Sequence, residues 1–163
     1  MKAPQASLTP DKRFAIADFF ERYADVVDNG RFDQWPEFFT SDCLYRVTSR
    51  ENVEAGLEYG ALYCQGIGMV RDRTMALRDV TVFEPRTLRH VLGSPRLEQA
   101  LDGSIKARTS FVVIEVLADS DPSLFMSGEY LDTIVEADGQ LLLKERHCIY
   151  DNTRIATSLI HPI

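Results

Sequence analysis

Residues 124–150, LFMSGEYLDTIVEADGQLLLKERHCIY, carry two long runs of strand-forming residues on either side of Asp138-Gly139. An Asp-Gly pair between such runs signals a two-residue hairpin, because the favoured turn needs positive φ at both positions. Counting outward from Ala137 opposite Gln140, Tyr130 faces His147 and Asp132 faces Glu145. Upstream, Gly103 to Leu117 forms another long strand, and Ser120-Asp121-Pro122-Ser123 turns it into the strand from Leu124 to Ala137. Val80, Val82 and Glu84 alternate with Thr81 and Phe83, Pro85-Arg86 turns, and Leu88 to Leu92 returns. The back half of the chain is therefore read as strands.

The front half has a different period. Thr9-Pro10 is an N-cap followed by proline at the first helical position. Ile16, Phe19, Phe20, Tyr23, Val26 and Val27 then fall on one stripe at helical spacing, with Asp18, Glu21, Arg22, Asp25 and Asp28 opposite, and Asn29-Gly30 supplies the stop. Phe32, Trp35, Phe38 and Phe39 form an aromatic-rich segment in which Pro36 opens a helical turn, and these rings are read as core packing. Cys43 to Thr48 suggests a first strand. Ser49 to Val70 holds Gly56, Gly60, Gly66 and Gly68 and no firm period, and Arg71 to Arg78 could form a short helix. Helices first and strands afterwards predict an α+β fold with a mostly antiparallel sheet.

A chain of 163 residues is the size of one domain, read here as 1–163 with an N-terminal tail over 1–8 and a C-terminal tail over 152–163. Eighteen Lys plus Arg against 25 Asp plus Glu give a net charge of -7, which opposes a phosphate backbone and makes nucleic acid a poor partner. No apolar run approaches the roughly 18 residues that span a bilayer, and no signal-peptide pattern opens the chain, so a cytoplasmic protein away from membranes is expected. Cys43, Cys64 and Cys148 are few, odd in number and far apart, which fits reduced thiols packed as small hydrophobes.

Metal-ligand spacing is missing: the histidines are His90, His147 and His161, with no Cys-x-x-Cys or Cys-x-His pair. Neither a Gly-x-Ser-x-Gly nucleophile elbow nor a phosphate-binding glycine loop occurs. The hairpin does gather Tyr130, Asp132, Glu145 and His147 on one face. Two carboxylates beside an imidazole and a phenol could shift each other's pKa and do general acid/base work, making the chain a stand-alone cone-fold isomerase or dehydratase, or a small-molecule binding module with the same pocket. Like charges directly opposite are destabilising, however, and that favours a face which docks an arginine from a neighbouring strand or another chain. Arginine is abundant, fourteen against four lysines, and Arg71, Arg73, Arg78, Arg86, Arg89 and Arg96 fall in one segment with only Asp72, Asp79 and Glu84 against them. Arginine suits bidentate pairing in partly dry places and interface cores.

The strings Ser49-Arg50-Glu51-Asn52, Gly68-Met69, Asp72-Arg73, Ala76-Leu77-Arg78, Glu84-Pro85 and Arg89-His90, with Gly128-x-Tyr130-x-Asp132 and Asp138-Gly139, resemble the small (β) subunits of Rieske-type aromatic-ring-hydroxylating oxygenases. Within that family the chain looks most like the small subunits of salicylate hydroxylases and anthranilate dioxygenases. The resemblance implies a cone-like fold shared with nuclear transport factor and ketosteroid isomerase, a curved, mostly antiparallel sheet wrapped around N-terminal helices. It also implies a hexamer of three large and three small subunits. The large subunit carries the Rieske [2Fe-2S] cluster and the mononuclear iron, ferredoxin and a reductase supply electrons, and the small subunit is non-catalytic. No catalytic, cofactor-binding or metal residue transfers to this chain. Arg50, Glu51, Arg71, Asp72, Arg73, Arg89 and His90 are expected to lie in or brace the contact with the large subunit or a neighbouring small one, so that Arg73→Ala loosens assembly. Ring substrate, regiochemistry and mono- versus dioxygenation belong to the large subunit's pocket, and the stretch 56–68 with Cys64 is left to docking surface.

Overall fold

Helix α1 spans Pro10–Asp28 in a computed structural model that describes residues 8–57, 59–80 and 84–163. The Thr9 hydroxyl accepts a hydrogen bond from the Lys12 N–H at 3.2 Å, and Pro10 occupies a position that needs no N–H. The whole apolar stripe from Ile16 to Val27 is buried, and the chain leaves the helix through Gly30 at φ +66°. A 3₁₀ turn over Phe32–Phe38 contains Pro36 and presents Trp35, fully buried, to Tyr45 and Phe39 in edge-on ring contacts.

Seven strands follow: β1 (Phe39–Ser49), β2 (Leu62–Gln65), β3 (Arg86–Leu92), β4 (Arg96–Gln99), β5 (Ile105–Leu117), β6 (Ser123–Ala137) and β7 (Gln140–Tyr150). They form one sheet in the order β2-β1-β7-β6-β5-β3, with β4 also on β5. Every pairing is antiparallel except β1 with β7, which is parallel. The sheet is thus mixed, and it wraps around the helices in the α+β, cone-like arrangement expected. Two short helices complete the packing, α2 (Arg50–Glu54) and α3 (Gly66–Met75), the latter running into a π-turn over Ala76–Val80. Packing α1 on β3, α3 on β1 and the 3₁₀ turn on β7 buries one continuous core.

The stretch without a readable period is organised by tertiary contacts. Ser49 caps α2 by accepting from the Asn52 N–H at 3.2 Å, and Leu62–Gln65 adds to β1 as an edge strand. Val80 closes the π-turn instead of opening a strand; Thr81, Val82 and Phe83 lie outside the described residues, and the strand begins at Arg86. β4 is too short, at four residues, to show a period of its own.

The hairpin turns as read, with Asp138 at φ +51° and Gly139 at φ +75°. From Ala137 opposite Gln140 to Ile134 opposite Leu143 the register is the expected one. Lys144 is then an extra, unpaired residue, so Thr133 pairs with Glu145, Asp132 with Arg146, Leu131 with His147 and Tyr130 with Cys148. Such a bulge shifts every later residue of β7 by one and hence to the other face of the sheet. Tyr130 does not face His147, nor Asp132 Glu145. Farther along, a Cβ on Gly128 would sit 2.0 Å from the Ile149 carbonyl oxygen, a close approach that only glycine permits.

Residues 152–163 form no helix or strand but are tied down. Arg73 donates to the Ile160 carbonyl, Arg86 donates to the Ser158 carbonyl at 3.1 Å, and Ile163 is fully buried.

Candidate functional site

On the helix-facing side of the β6–β7 hairpin, Asp132 accepts from Arg146 Nε at 2.9 Å and from Nη2 at 2.8 Å, a bidentate pair with both side chains out of solvent. The guanidinium lies 4.1 Å from the Tyr23 ring centroid, 4.2 Å from that of Tyr130 and 5.2 Å from that of Phe20. Tyr130 in turn stacks on Phe111 at 4.3 Å. Burial raises the Asp132 carboxyl against the pull of Arg146. Desolvation works against the charge on Arg146 too, but Asp132 outweighs it and holds the guanidinium's pKa above its ordinary value. Burial pushes the Tyr130 phenol well up as well, so it keeps its proton at neutral pH.

The rest of the cone's interior is filled by the chain itself. Trp35 Nε1 donates to the Tyr23 hydroxyl at 2.9 Å, and Tyr23 and Tyr45 donate to the Ile163 carbonyl at 3.0 and 3.3 Å. The Ile163 N–H donates to the Tyr45 hydroxyl at 2.9 Å. Trp35, Tyr23, Tyr45 and Ile163 are thus linked donor to acceptor, while the Tyr130 hydroxyl and Thr109 Oγ1 have no hydrogen-bond partner among the described residues.

The opposite face holds the other half of the predicted constellation. Glu145 accepts from Arg46 at 3.1 Å. His147 beside it is pushed down to about 4, chiefly by burial and then by the Arg46 charge, so its imidazole is neutral at pH 7. The four residues expected to act together are divided between two faces, and the acid/base reading of Tyr130, Asp132, Glu145 and His147 fails on geometry. An arginine does dock on the buried carboxylate, and it comes from the same hairpin. Arg146 was missed because the bulge could not be counted. Its signal lies in Leu141-Leu142-Leu143-Lys144, where alternation breaks off and the deeply buried Leu143 and Arg146 stand three residues apart instead of two.

The residues expected at a subunit contact fall into two groups. Glu51, Arg71, Asp72 and Arg89 are exposed, on α2, α3 and β3. The others are used within the chain. Arg50 donates to Asp151 at 2.6 Å and to Glu129 at 3.2 Å, and Arg73 holds Ile160. The side chain of His90 is buried, with Nδ1 2.6 Å from an oxygen of Asp28 and its backbone N–H donating to the other at 2.9 Å, which staples β3 to the end of α1. Arg86 meets Glu115 at 2.8 Å in a nearly dry pair, and Arg78 binds Asp79 and Asp33. Among the described residues no three His, Cys, Asp or Glu side chains gather as a metal site, all three cysteines are free and buried, and no helix is long and apolar enough to cross a membrane.

Residues 10–147 match the SnoaL-like domain. The chain is 34% identical over 159 residues to the anthranilate 1,2-dioxygenase small subunit of Burkholderia cepacia, covering 96% of this chain and 99% of that one. It is 38% identical over 148 residues to the terephthalate 1,2-dioxygenase terminal oxygenase component subunit beta 1 of a Comamonas species, covering 91% and 96%. A crystal structure described as the β subunit of an aromatic-ring-hydroxylating dioxygenase from Novosphingobium aromaticivorans superposes with a TM-score of 0.84 at 38% identity, over 93% of this chain and 96% of that one. The bidentate core, the bulged hairpin and the curved mixed sheet thus sit in a chain that belongs to the SnoaL-like domain family and, within it, to the small (β) subunits of aromatic-ring dioxygenases.

Proposed function

We propose that this chain is the non-catalytic structural subunit of a multicomponent Rieske non-haem iron oxygenase that hydroxylates an aromatic acid such as salicylate. The observation that carries this reading is the interior of the cone: Asp132 and Arg146 satisfy each other, sandwiched by Tyr23 and Tyr130, and the Ile163 carbonyl is held by Tyr23 and Tyr45. Relatives at 34% and 38% identity bear the names of small subunits of dioxygenases for anthranilate and terephthalate, both aromatic acids. The Rieske [2Fe-2S] cluster and the mononuclear iron would reside in the large subunit and supply the oxygen chemistry there. This chain's residues fold, brace and dock.

In a hexamer of three large and three small subunits, served by ferredoxin and a reductase, the exposed Glu51, Arg71, Asp72 and Arg89 would meet the large subunit or a neighbouring small one. Arg50, Arg73 and His90 would brace that surface from behind through their contacts to Asp151, Ile160 and Asp28. Co-expression with a larger chain bearing Cys-x-His and Cys-x-x-His motifs from the adjacent gene tests this. The expected result is a coloured, iron-containing complex that co-elutes with this chain, and a smaller co-eluting fraction for the Arg71→Ala/Arg89→Ala double variant. A colourless isolated chain that turns over a carbonyl substrate would overturn the reading.

A further inference from the structure

Two register rows cross the face of the sheet that points away from α1, where β4, β5, β6, β7 and β1 lie side by side. One row reads Arg96, Arg108, Leu131, His147, Arg46. The next reads Glu98, Lys106, Thr133, Glu145. With strands about 4.8 Å apart, the first row brings three guanidiniums and an imidazole within about 20 Å of one another. Both rows line a cleft of about 530 Å³, a volume ordinary for a small organic ligand.

The electrostatics of the cleft run against those of the molecule. Arg46, Arg96, Lys106 and Arg108 stand against Glu98, Glu145 and Glu129, the last paired with Arg108, while Asp132 at its base is matched by Arg146 from within. An excess of positive charge thus sits in a chain of net charge -7. At the centre of the row, Leu131 lies between the cationic ends, 38% exposed.

Two polar groups on the cleft's wall are unsatisfied. His147 is only 9% exposed and its Nε2 has no hydrogen-bond partner among the described residues; the same holds for Nε of Arg46, although Nη2 of that guanidinium reaches Glu145. Buried polar atoms left unpaired are costly, and an incoming acceptor relieves that cost. Guanidiniums pair with carboxylates through two parallel hydrogen bonds and also stack on aromatic faces.

We infer that this cleft binds a small aromatic carboxylate, with the carboxylate held between Arg46 and His147 and the ring lying over Leu131 against the guanidinium of Arg108. The site is on the opposite side of the sheet from the Asp132–Arg146 pair. It does not rest on the small-subunit reading, and it touches the contact residues of that reading only through Glu129, which pairs with both Arg108 and Arg50.

Titration of the isotopically labelled full-length chain with sodium benzoate, followed by amide chemical shifts and calorimetry, tests the inference. Terephthalate, acetate and benzyl alcohol serve as two-charge, charge-only and ring-only probes. Saturable benzoate binding is expected, with shifts confined to the two rows, terephthalate at least as tight, and acetate and benzyl alcohol each about tenfold weaker or worse. Arg108→Gln should weaken benzoate about tenfold at unchanged thermal stability, because Glu129 keeps Arg50 as partner. His147→Gln should weaken it as well, and its melting temperature separates lost binding from lost folding. No saturation by about 10 mM benzoate, acetate binding as tightly as benzoate, or full affinity in Arg108→Gln would each refute the site. Shifts in these rows produced only by adding the large subunit would reassign the face to protein docking and refute it equally.

Discussion

On the inner face of the β6–β7 hairpin, Asp132 and Arg146 are 3% and 1% exposed and bind each other through two hydrogen bonds; on the outer face, Arg46 and Glu145 share one contact at 3.1 Å with about a third of each side chain in water. The residue types are the same, a carboxylate and a guanidinium, but the stakes differ. In the interior an unmatched charge has no water to fall back on, so the pair must close completely. At the surface solvent and salt screen each charge, and the same chemistry stays free to accept a visitor. A single bulged residue, Lys144, decides which side chain goes where.

Asp132→Asn leaves the backbone alone but strands the Arg146 charge among aromatic rings, at a cost of about 3–5 kcal/mol by chemical denaturation. The double variant Asp132→Leu/Arg146→Met should recover most of that loss, since an apolar pair of similar size needs no partner.

Acid probes the buried histidines. His147 and His161 are both pushed down to about 4, mainly by burial, with Arg46 acting on the first and Arg86 and Arg73 on the second. The unfolded chain protonates them at their ordinary value near 6.5. Between the two values the unfolded state therefore binds more protons, and stability falls as pH drops from about 6.5 toward 4. Up to about 3 kcal/mol is expected from each, measured as denaturation midpoints across that window. Glu145→Gln should change stability by less than about 1 kcal/mol, because about a third of its partner's side chain already lies in water. A larger loss would erase the contrast between the two faces.

Local signals carried much of the architecture. Thr9-Pro10, the stripe from Ile16 to Val27 and Asp138-Gly139 each depend on neighbours in sequence, and each stands in the structure as the physical chemistry of caps, periods and turns requires. Tertiary decisions were less visible. Leu62–Gln65 becomes a strand only because β1 offers it an edge, and the parallel union of β1 with β7 joins residues about a hundred positions apart. The candidate site suffered most, because a face assignment by alternation inverts at the first unpaired residue. The concentration of arginine between Arg71 and Arg96 was legible, but its use was not: Arg73 and Arg86 clamp the segment near Ile160, whose backbone carbonyls leave no trace in side-chain patterns.

The seat of β1 beside β7 also bears on how the molecule is made. A nascent chain emerging from the ribosome presents β1 early, yet that strand's parallel neighbour does not exist until Gln140–Tyr150 has been translated. Until then the β1–β2 ribbon offers an open edge to any other extended polypeptide. High contact order of this kind slows folding and lengthens the exposure to aggregation. Synthesis together with a partner that covers the edge would shorten it.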